Sequence, residues 1–192
     1  QGTIKADIVV NCSGMWAREL GKKAGSRVPL HAAEHYYMIT ESLEGMHSNL
    51  PVLRDMDNHA YYREETGKLL LGLFEPDAVP WGQDGIPEHF FFDDLPADME
   101  RVYPYLEKAM QRIPALEYTG IQLLFNGPES FTPDDRYWLG ECPETNNLFV
   151  AAGFNSVGIQ SAGGAGKMLA DWIVKGRQPI DLWDVSTTRM MS

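Results

Sequence analysis

Histidine, tyrosine and arginine recur at alternate positions in two stretches rich in strand-forming residues. In an extended chain His35, Tyr37 and Ile39 share one face, and His59, Tyr61 and Arg63 share another. Turned toward a bound cofactor, these faces offer an imidazole, a phenol and a guanidinium to a small polar substrate. Imidazole moves protons near neutral pH, phenol orients by hydrogen bonding, and guanidinium holds a carboxylate. The same spacing fits a core histidine and a core tyrosine with satisfied hydrogen bonds, and spacing alone favours that second reading.

Two other motifs invite chemistry and fail on context. His31-Ala-Ala-Glu-His35 matches the inverted zinc-protease pattern, which needs a helix to bring both imidazoles to one metal. Pro29 stands just upstream and strand formers begin at His35; an extended stretch would separate the pair by roughly 13 Å. No third ligand stands out, and no metal is expected. Gly163-Gly-Ala-Gly-Lys167 resembles part of a phosphate-binding loop. The full pattern needs a glycine five residues before Gly166 and a hydroxyl after the lysine; Ser161 and Met168 occupy those positions, so an ATPase is not supported. There is no G-x-G-x-x-G.

The elements that must position such residues begin and end the chain in the same way. Asp7-Ile-Val-Val-Asn-Cys-Ser-Gly14 reads as a strand over residues 6–11 and a turn at Ser13-Gly14, followed by a helix burying Trp16, Leu20 and Ala24. Leu148 to Ile173 reads as a buried strand, a glycine-punctuated turn and a helix whose small residues imply close packing. Each turn aims backbone N–H groups and a positive helix end at something electron-rich.

Between these βα units the texture changes. Strands are predicted at His35–Thr40, His59–Glu64 and Lys68–Phe74, the last two joined by the turn Glu65-Thr-Gly67. Residues 76–96 read as a long loop. A helix is expected over 97–113 with Met99, Val102, Leu106, Met110 and Ile113 as its stripe and Pro104 placed to kink it. A strand at Ile121–Asn126, a rigid loop over 127–134 and an extended tail of about fifteen residues complete the reading. The predicted fold class is α/β (α+β): an antiparallel-sheet domain inserted into a nucleotide-binding domain. The expected segments are 1–26, 27–125 and 126–192.

With 192 residues and 44% hydrophobic content, the chain can bury a core in one or two units. Sixteen basic against 27 acidic residues give a net charge of −11, and no basic run exists to bind nucleic acid. No apolar run is long enough for a membrane span. The two cysteines, Cys12 and Cys142, form no disulfide framework, which points to a reducing compartment. Starting at Gln1-Gly2-Thr3, with an opening strand that reads as a lone edge, the chain reads as a piece of a longer protein.

Val9-Val-Asn-Cys-Ser-Gly-Met-Trp-Ala-Arg-Glu-Leu-Gly21, Pro29-Leu-His-Ala-Ala-Glu-His-Tyr36, Pro51-Val-Leu-Arg-Asp55, Tyr61-Tyr-Arg63, Asn126-Gly-Pro-Glu-Ser-Phe-Thr-Pro-Asp134 and Gly153-Phe-Asn-Ser-Val-Gly158 follow in order along nearly the whole chain. In these motifs the chain resembles the dimethylglycine and sarcosine dehydrogenase family, FAD-dependent members of the D-amino-acid-oxidase-like superfamily. The resemblance implies a central fragment: the end of an FAD-binding Rossmann-like domain plus the inserted substrate domain. The G-x-G-x-x-G segment would lie upstream, and a folate-binding region would lie downstream.

By position, the resemblance implies FAD contacts from Ser13, Gly14, Trp16, Gly153, Phe154, Asn155, Ser156, Val157, Gly158 and Ile159. It puts His35 and Tyr61 at the family's substrate-site histidine and tyrosine. His35 would accept or relay the amine proton, Tyr61 would orient, and Arg63 or an upstream residue would hold the substrate carboxylate. The substrate would be sarcosine or dimethylglycine, and the electron acceptor oxygen or an electron-transfer flavoprotein. The compartment would be the cytoplasm in a bacterium or the mitochondrial matrix in a eukaryote. Glu129-Ser-Phe-Thr132 is closer to sarcosine dehydrogenases. His31 to Tyr36 is also similar to the regulatory subunit of pyruvate dehydrogenase phosphatase, so a non-catalytic paralogue and an inactive isolated fragment are the alternatives.

Overall fold

The chain alternates short strands with three helices, and a computed structural model describes residues 2–190. In chain order the strands are β1 Val9–Asn11, β2 His31–Ala33, β3 Tyr36–Ser42, β4 Leu53–Asp55, β5 Ala60–Glu64, β6 Lys68–Leu73, β7 Pro80–Trp81, β8 Ile121–Asn126, β9 Glu129–Phe131, β10 Trp138–Glu141 and β11 Leu148–Ala152. The helices are α1 Ala17–Lys23, α2 Met99–Arg112 and α3 Gly158–Lys175. They form two compact units. One comprises the chain up to Ala33, Pro80–Glu88 and the chain from Glu129 onward; the other comprises Glu34–Val79 and His89–Pro128.

In the first unit β11 is the centre of a three-stranded sheet, parallel to β1 and antiparallel to β10. Its sequence, Leu-Phe-Val-Ala-Ala, is continuously apolar because both faces are covered. Leu148, Val150 and Ala152 meet Ala17, Val28, Leu30 and Trp138 on one side; Phe149 meets Leu139, Ala165, Leu169 and Leu182 on the other. A second small sheet, in the order β7-β2-β9, is antiparallel throughout. Arg189 stacks on Trp138 with its guanidinium carbon 3.6 Å from the ring centroid and grips Asp134 through bonds of 2.6 and 2.9 Å.

The second unit is a five-stranded antiparallel sheet, β4-β5-β6-β3-β8, with α2 against one face. Tyr36, Met38, Tyr62, Leu69, Leu71 and Leu73 form a core with Val102, Leu106 and Ala109 of the helix. Asp98 caps α2 by accepting the N–H groups of Glu100 and Arg101 at 3.0 and 3.3 Å. The β5–β6 hairpin turns as the sequence predicts: Thr66 and Gly67 both take left-handed dihedrals, φ 53° and 79°, as a two-residue primed turn requires. Asp55 anchors the sheet edge, holding Asn58 and, at 3.0 Å, Arg112 of α2.

Several expectations are corrected. The opening strand is shorter than residues 6–11, and it has a parallel neighbour within the chain. The helix after it buries Met15, Ala17 and Gly21 and leaves Trp16, Leu20 and Ala24 exposed, because a 3-10 turn at Gly14–Trp16 rotates the register before α1 begins. The expected loops contain β7 and β9, two-to-three-residue strands too short to leave a periodic signal. β10 also emerges only in the structure. The tail is docked up to residue 190: Leu182 is buried, Ser186 bridges Leu139, and Arg189 is anchored; Gln1, Met191 and Ser192 lie outside the described residues. Gly163, Gly164 and Gly166 sit inside α3, not in a phosphate loop, and a Cβ at any of them would touch nothing within 4 Å. The close packing expected of them is made instead by Ala165 and Leu169.

Hydrogen bonds hold the carboxyls of Asp55 (chiefly from Asn58) and Asp134 (chiefly from Arg189) below the usual range. A carboxylate depressed in the folded state contributes its full stabilisation above the unfolded value, about 3.9, and loses it as pH falls through the folded value. The difference in urea midpoint between the parent and Asp134→Asn is therefore expected to shrink steadily from about pH 6 to about pH 3, followed by circular dichroism.

Candidate functional site

The first candidate site grows from the parallel register of β1 and β11. Val9, Val10 and Asn11 pair with Leu148, Phe149 and Val150, so both strands end at the same edge and both turns emerge side by side. Asn11, fully buried, organises the first turn. Its Nδ2 donates to the Ala17 carbonyl at 3.0 Å, and its Oδ1 accepts the Ser13 hydroxyl at 2.6 Å and the Ser13 N–H at 3.3 Å. Ser13 is thereby fixed, and Gly14 follows with φ 57°.

The second turn is held in strained backbone. Gly153, Asn155 and Ser156 have φ of 70°, 50° and 64°, all left-handed. The Asn155 side chain, expected at the cofactor, is committed to the protein: Oδ1 accepts the Thr132 N–H at 2.8 Å and Nδ2 donates to the Gly153 carbonyl at 2.9 Å. A Cβ on Gly153 would lie 2.5 Å from the Thr132 methyl, so only glycine fits where the turn crosses β9 and its exit. Phe154 stacks on Tyr137 with centroids 4.5 Å apart. α3 then starts at Gly158 with Val157 at its cap and no capping side chain, leaving the first-turn N–H groups without an intrahelical acceptor. Ile159 beside them is 99% exposed.

A cavity of about 530 Å³ adjoins both turns, lined by Val10, Cys12, Gly14, Ser130, Gly153 and Gly158 among others. Burial pushes the Cys12 thiol up from its ordinary value, so it stays neutral there. An apolar cavity of this size, with glycine backbone at its rim and helix N–H groups beside it, fits a planar heteroaromatic ring with electron-rich oxygens. Ser13, Gly14 and Gly153 to Ile159 are thus brought together, with Trp16 exposed next to them.

The second candidate site is the sheet face turned away from α2. The register places Arg54, Tyr61, Gly72, Tyr37 and Phe125 in one row across the five strands. Tyr61 lies flat over Gly72: a Cβ there would come within 2.0 Å of the phenol ring. Phe74 is the hub of this face. The rings of His35 and Tyr61 meet it edge-on at 5.9 and 5.6 Å, and the Arg54 guanidinium lies 3.2 Å from its centroid. Tyr37 stacks on Phe125 at 4.8 Å. Burial is the main cause that raises the Tyr61 phenol, keeping it a hydrogen-bond donor at neutral pH. His35, immediately before β3, bonds to Glu75 through Nδ1 at 2.8 Å.

Sequence spacing gave His35 and Tyr61 each a strand face; register brings the two faces together around Phe74, and three partners were missed. Arg63 shares the Tyr61 face and is paired with Glu65 in an exposed ion pair. Arg54 stands directly opposite Tyr61, and among the described residues no ion pair takes in Arg54. Burial lowers its guanidinium from the ordinary value. Gly72 and Glu75 were the other omissions; a glycine inside an apolar run and an acid just after it were the available signals. His31 lies on an extended strand, so the zinc motif has no helix to carry it.

A family profile described as FAD dependent oxidoreductase (DAO) matches residues 1–172. The chain belongs to that family. It is 44% identical over 98% of its length to 4-methylaminobutanoate oxidase (formaldehyde-forming) of Paenarthrobacter nicotinovorans and 40% identical over 98% to mitochondrial sarcosine dehydrogenase of Mus musculus. It spans 23% and 20% of the length of those two proteins. The crystal structure of glycine oxidase from Geobacillus kaustophilus superposes on all of the chain and on 48% of its own, with a TM-score of 0.75 and 26% identity. The mixed α/β fold, the antiparallel sheets and the family's flavin dependence agree with the sequence reading. Among the described residues no helix is long and apolar enough to cross a membrane.

Replacing Gly72 by alanine should evict Tyr61 from its bed on β6. Its phenol should then titrate closer to the ordinary tyrosine value, read as an absorbance titration of Gly72→Ala against the parent, with Tyr61→Phe identifying the transition. Gly153→Ala combines left-handed strain with a clash and should destabilise the first unit by about 1–3 kcal/mol in thermal or urea unfolding.

Proposed function

We propose that the protein to which this chain belongs oxidatively demethylates an N-methylated glycine, sarcosine or dimethylglycine. The observation supporting this reading is the Phe74-centred group of His35, Tyr61 and Arg54, an imidazole, a neutral phenol and a cation on one sheet face. The names of the relatives, both acting on N-methyl amines, point the same way. Segments 1–26 and 126–192 are assigned to the flavin and 27–125 to the substrate; the two compact units differ from these segments in placing 27–33 and 80–88 with the first and 126–128 with the second.

Bound FAD supplies a two-electron acceptor for the hydride of the substrate's N-methyl C–H bond. Ser13, Gly14, Trp16, Gly153, Phe154, Asn155, Ser156, Val157, Gly158 and Ile159 would hold it, chiefly through backbone N–H groups, with Asn155 acting by shaping the turn. The amine must be neutral before hydride can leave, since its lone pair forms the iminium. His35 takes the ammonium proton, directly or through water. Tyr61 donates a hydrogen bond that orients the substrate. Arg54, in preference to Arg63, pairs with the substrate carboxylate: its charge is partly desolvated over Phe74, whereas Arg63 is shared with Glu65. Hydrolysis of the iminium gives formaldehyde and the demethylated amine, or the one-carbon unit passes to folate where a folate region follows. Oxygen or an electron-transfer flavoprotein takes up the electrons. A bacterial protein would work in the cytoplasm and a eukaryotic one in the mitochondrial matrix.

In the flavin-loaded protein, His35→Ala should slow anaerobic flavin bleaching by sarcosine or dimethylglycine by about 10²–10⁴. Arg54→Met should raise the substrate concentration for half-maximal rate at least tenfold, about 1.4 kcal/mol, with a smaller effect from Arg63→Met. A protein that binds FAD but is bleached by no N-methylated glycine, before any substitution, would favour the non-catalytic reading. Unchanged rates in His35→Ala would instead remove His35 from the proposed chemistry.

A further inference from the structure

Glu75 faces two groups at once. Its Oε1 accepts the backbone N–H of Tyr36 at 2.9 Å, and its Oε2 lies 2.8 Å from Nδ1 of His35. The side chain is 7% exposed and that of His35 14%. Both neighbours are held in place by the backbone. Tyr36 opens β3 in register with Asn126, and the His35 carbonyl accepts the Gly127 N–H at 2.9 Å. Phe74, next to Glu75, donates its N–H to the His59 carbonyl at 2.8 Å. The carboxylate is therefore aimed by strand pairing on both sides.

From this geometry we infer that Glu75 is the positioning residue that fixes the tautomer of His35. An ionised carboxylate can only accept, so the ring nitrogen facing it carries a proton. Neutral His35 is then the Nδ1–H tautomer, with its lone pair on Nε2. If the ring gains a second proton, that proton sits on Nε2. The proton exchanged with substrate amine is assigned to Nε2, and no step needs the Glu75 carboxyl to take it up. This inference rests on the proposed role of His35, although the tautomer itself can be measured without it.

The Tyr36 N–H makes the amide substitution informative. In Glu75→Gln the backbone donor keeps the carboxamide oxygen, and the carboxamide NH2 is left facing Nδ1 of His35. That NH2 can only donate, so Nδ1 must accept and the proton moves to Nε2. The lone pair turns away from the atom assigned to the exchange. Loss of charge alone would not invert the ring in this way; the fixed Tyr36 donor does. Glu75→Asp keeps an acceptor-only group and should keep the Nδ1–H form.

The test is two-bond ¹H–¹⁵N correlation on flavin-loaded protein labelled at histidine, with His35→Asn identifying the signal. At a pH where the ring is neutral, the parent and Glu75→Asp should show protonated Nδ1, and Glu75→Gln protonated Nε2. Anaerobic flavin reduction by an N-methylated glycine should fall about a hundredfold in Glu75→Gln with little change in half-saturating concentration, and less in Glu75→Asp. Protonated Nε2 in the parent, or an unchanged tautomer in Glu75→Gln, would overturn the assignment. An inverted tautomer with unchanged reduction would leave the tautomer control standing and remove His35 from the proposed chemistry.

Discussion

The parallel pairing of β1 with β11 is the contact on which the first unit depends. Parallel neighbours run in one direction and stop at one edge, so whatever follows each strand must emerge at the same end. The Ser13-Gly14 turn and the Gly153 to Gly158 turn lie far apart in the chain and become neighbours through this ladder alone. The continuous apolar run of β11 is the consequence, because a strand with layers on both faces has no polar side to show. In β1, by contrast, Asn11 is a buried amide whose bonds to Ser13 and Ala17 shape the turn.

The second unit solves a different problem. Its antiparallel sheet needs only one buried face, and α2 covers it, so the opposite face can carry an arginine, tyrosines and phenylalanines in register. Gly72 lets Tyr61 lie across β6, and Phe74 gives the ring edges and the guanidinium a common surface. Polar groups on such a face are costly unless paired. Glu75 meets that demand for His35 and for the start of β3 with one side chain.

Membership of the FAD-dependent oxidoreductase family fits this division into backbone-lined turns and a side-chain-bearing sheet. The turns can hold a flat ring through N–H groups with little regard to side-chain identity. In the proposed function the sheet would select substrate through charge and proton position. The glycine run that resembles a phosphate loop lies within α3, where Gly166 lines the cavity beside the turns.

Much of this was legible in the sequence, where local chemistry decides. The β5–β6 hairpin follows from Thr66-Gly67, the β8 limits from a bounded apolar run, and the two βα corners from strand formers followed by glycine; periodicity gave Val102, Leu106, Met110 and Ile113 of the α2 stripe, but Met99 is exposed at its start. Alternation gives His35 and Tyr61 each a face of its own strand; strand register, through Gly72, makes the two faces one. Tertiary contacts decided the rest. α1 buries another face because a 3-10 turn precedes it, and β7, β9 and β10 are too short to exist without partners. The tail stays down because Asp134 and Trp138 receive Arg189. The pairings of Arg54 with Tyr61 and of Glu75 with His35 join residues far apart in sequence, since strand register, which no short window of residues encodes, selects them.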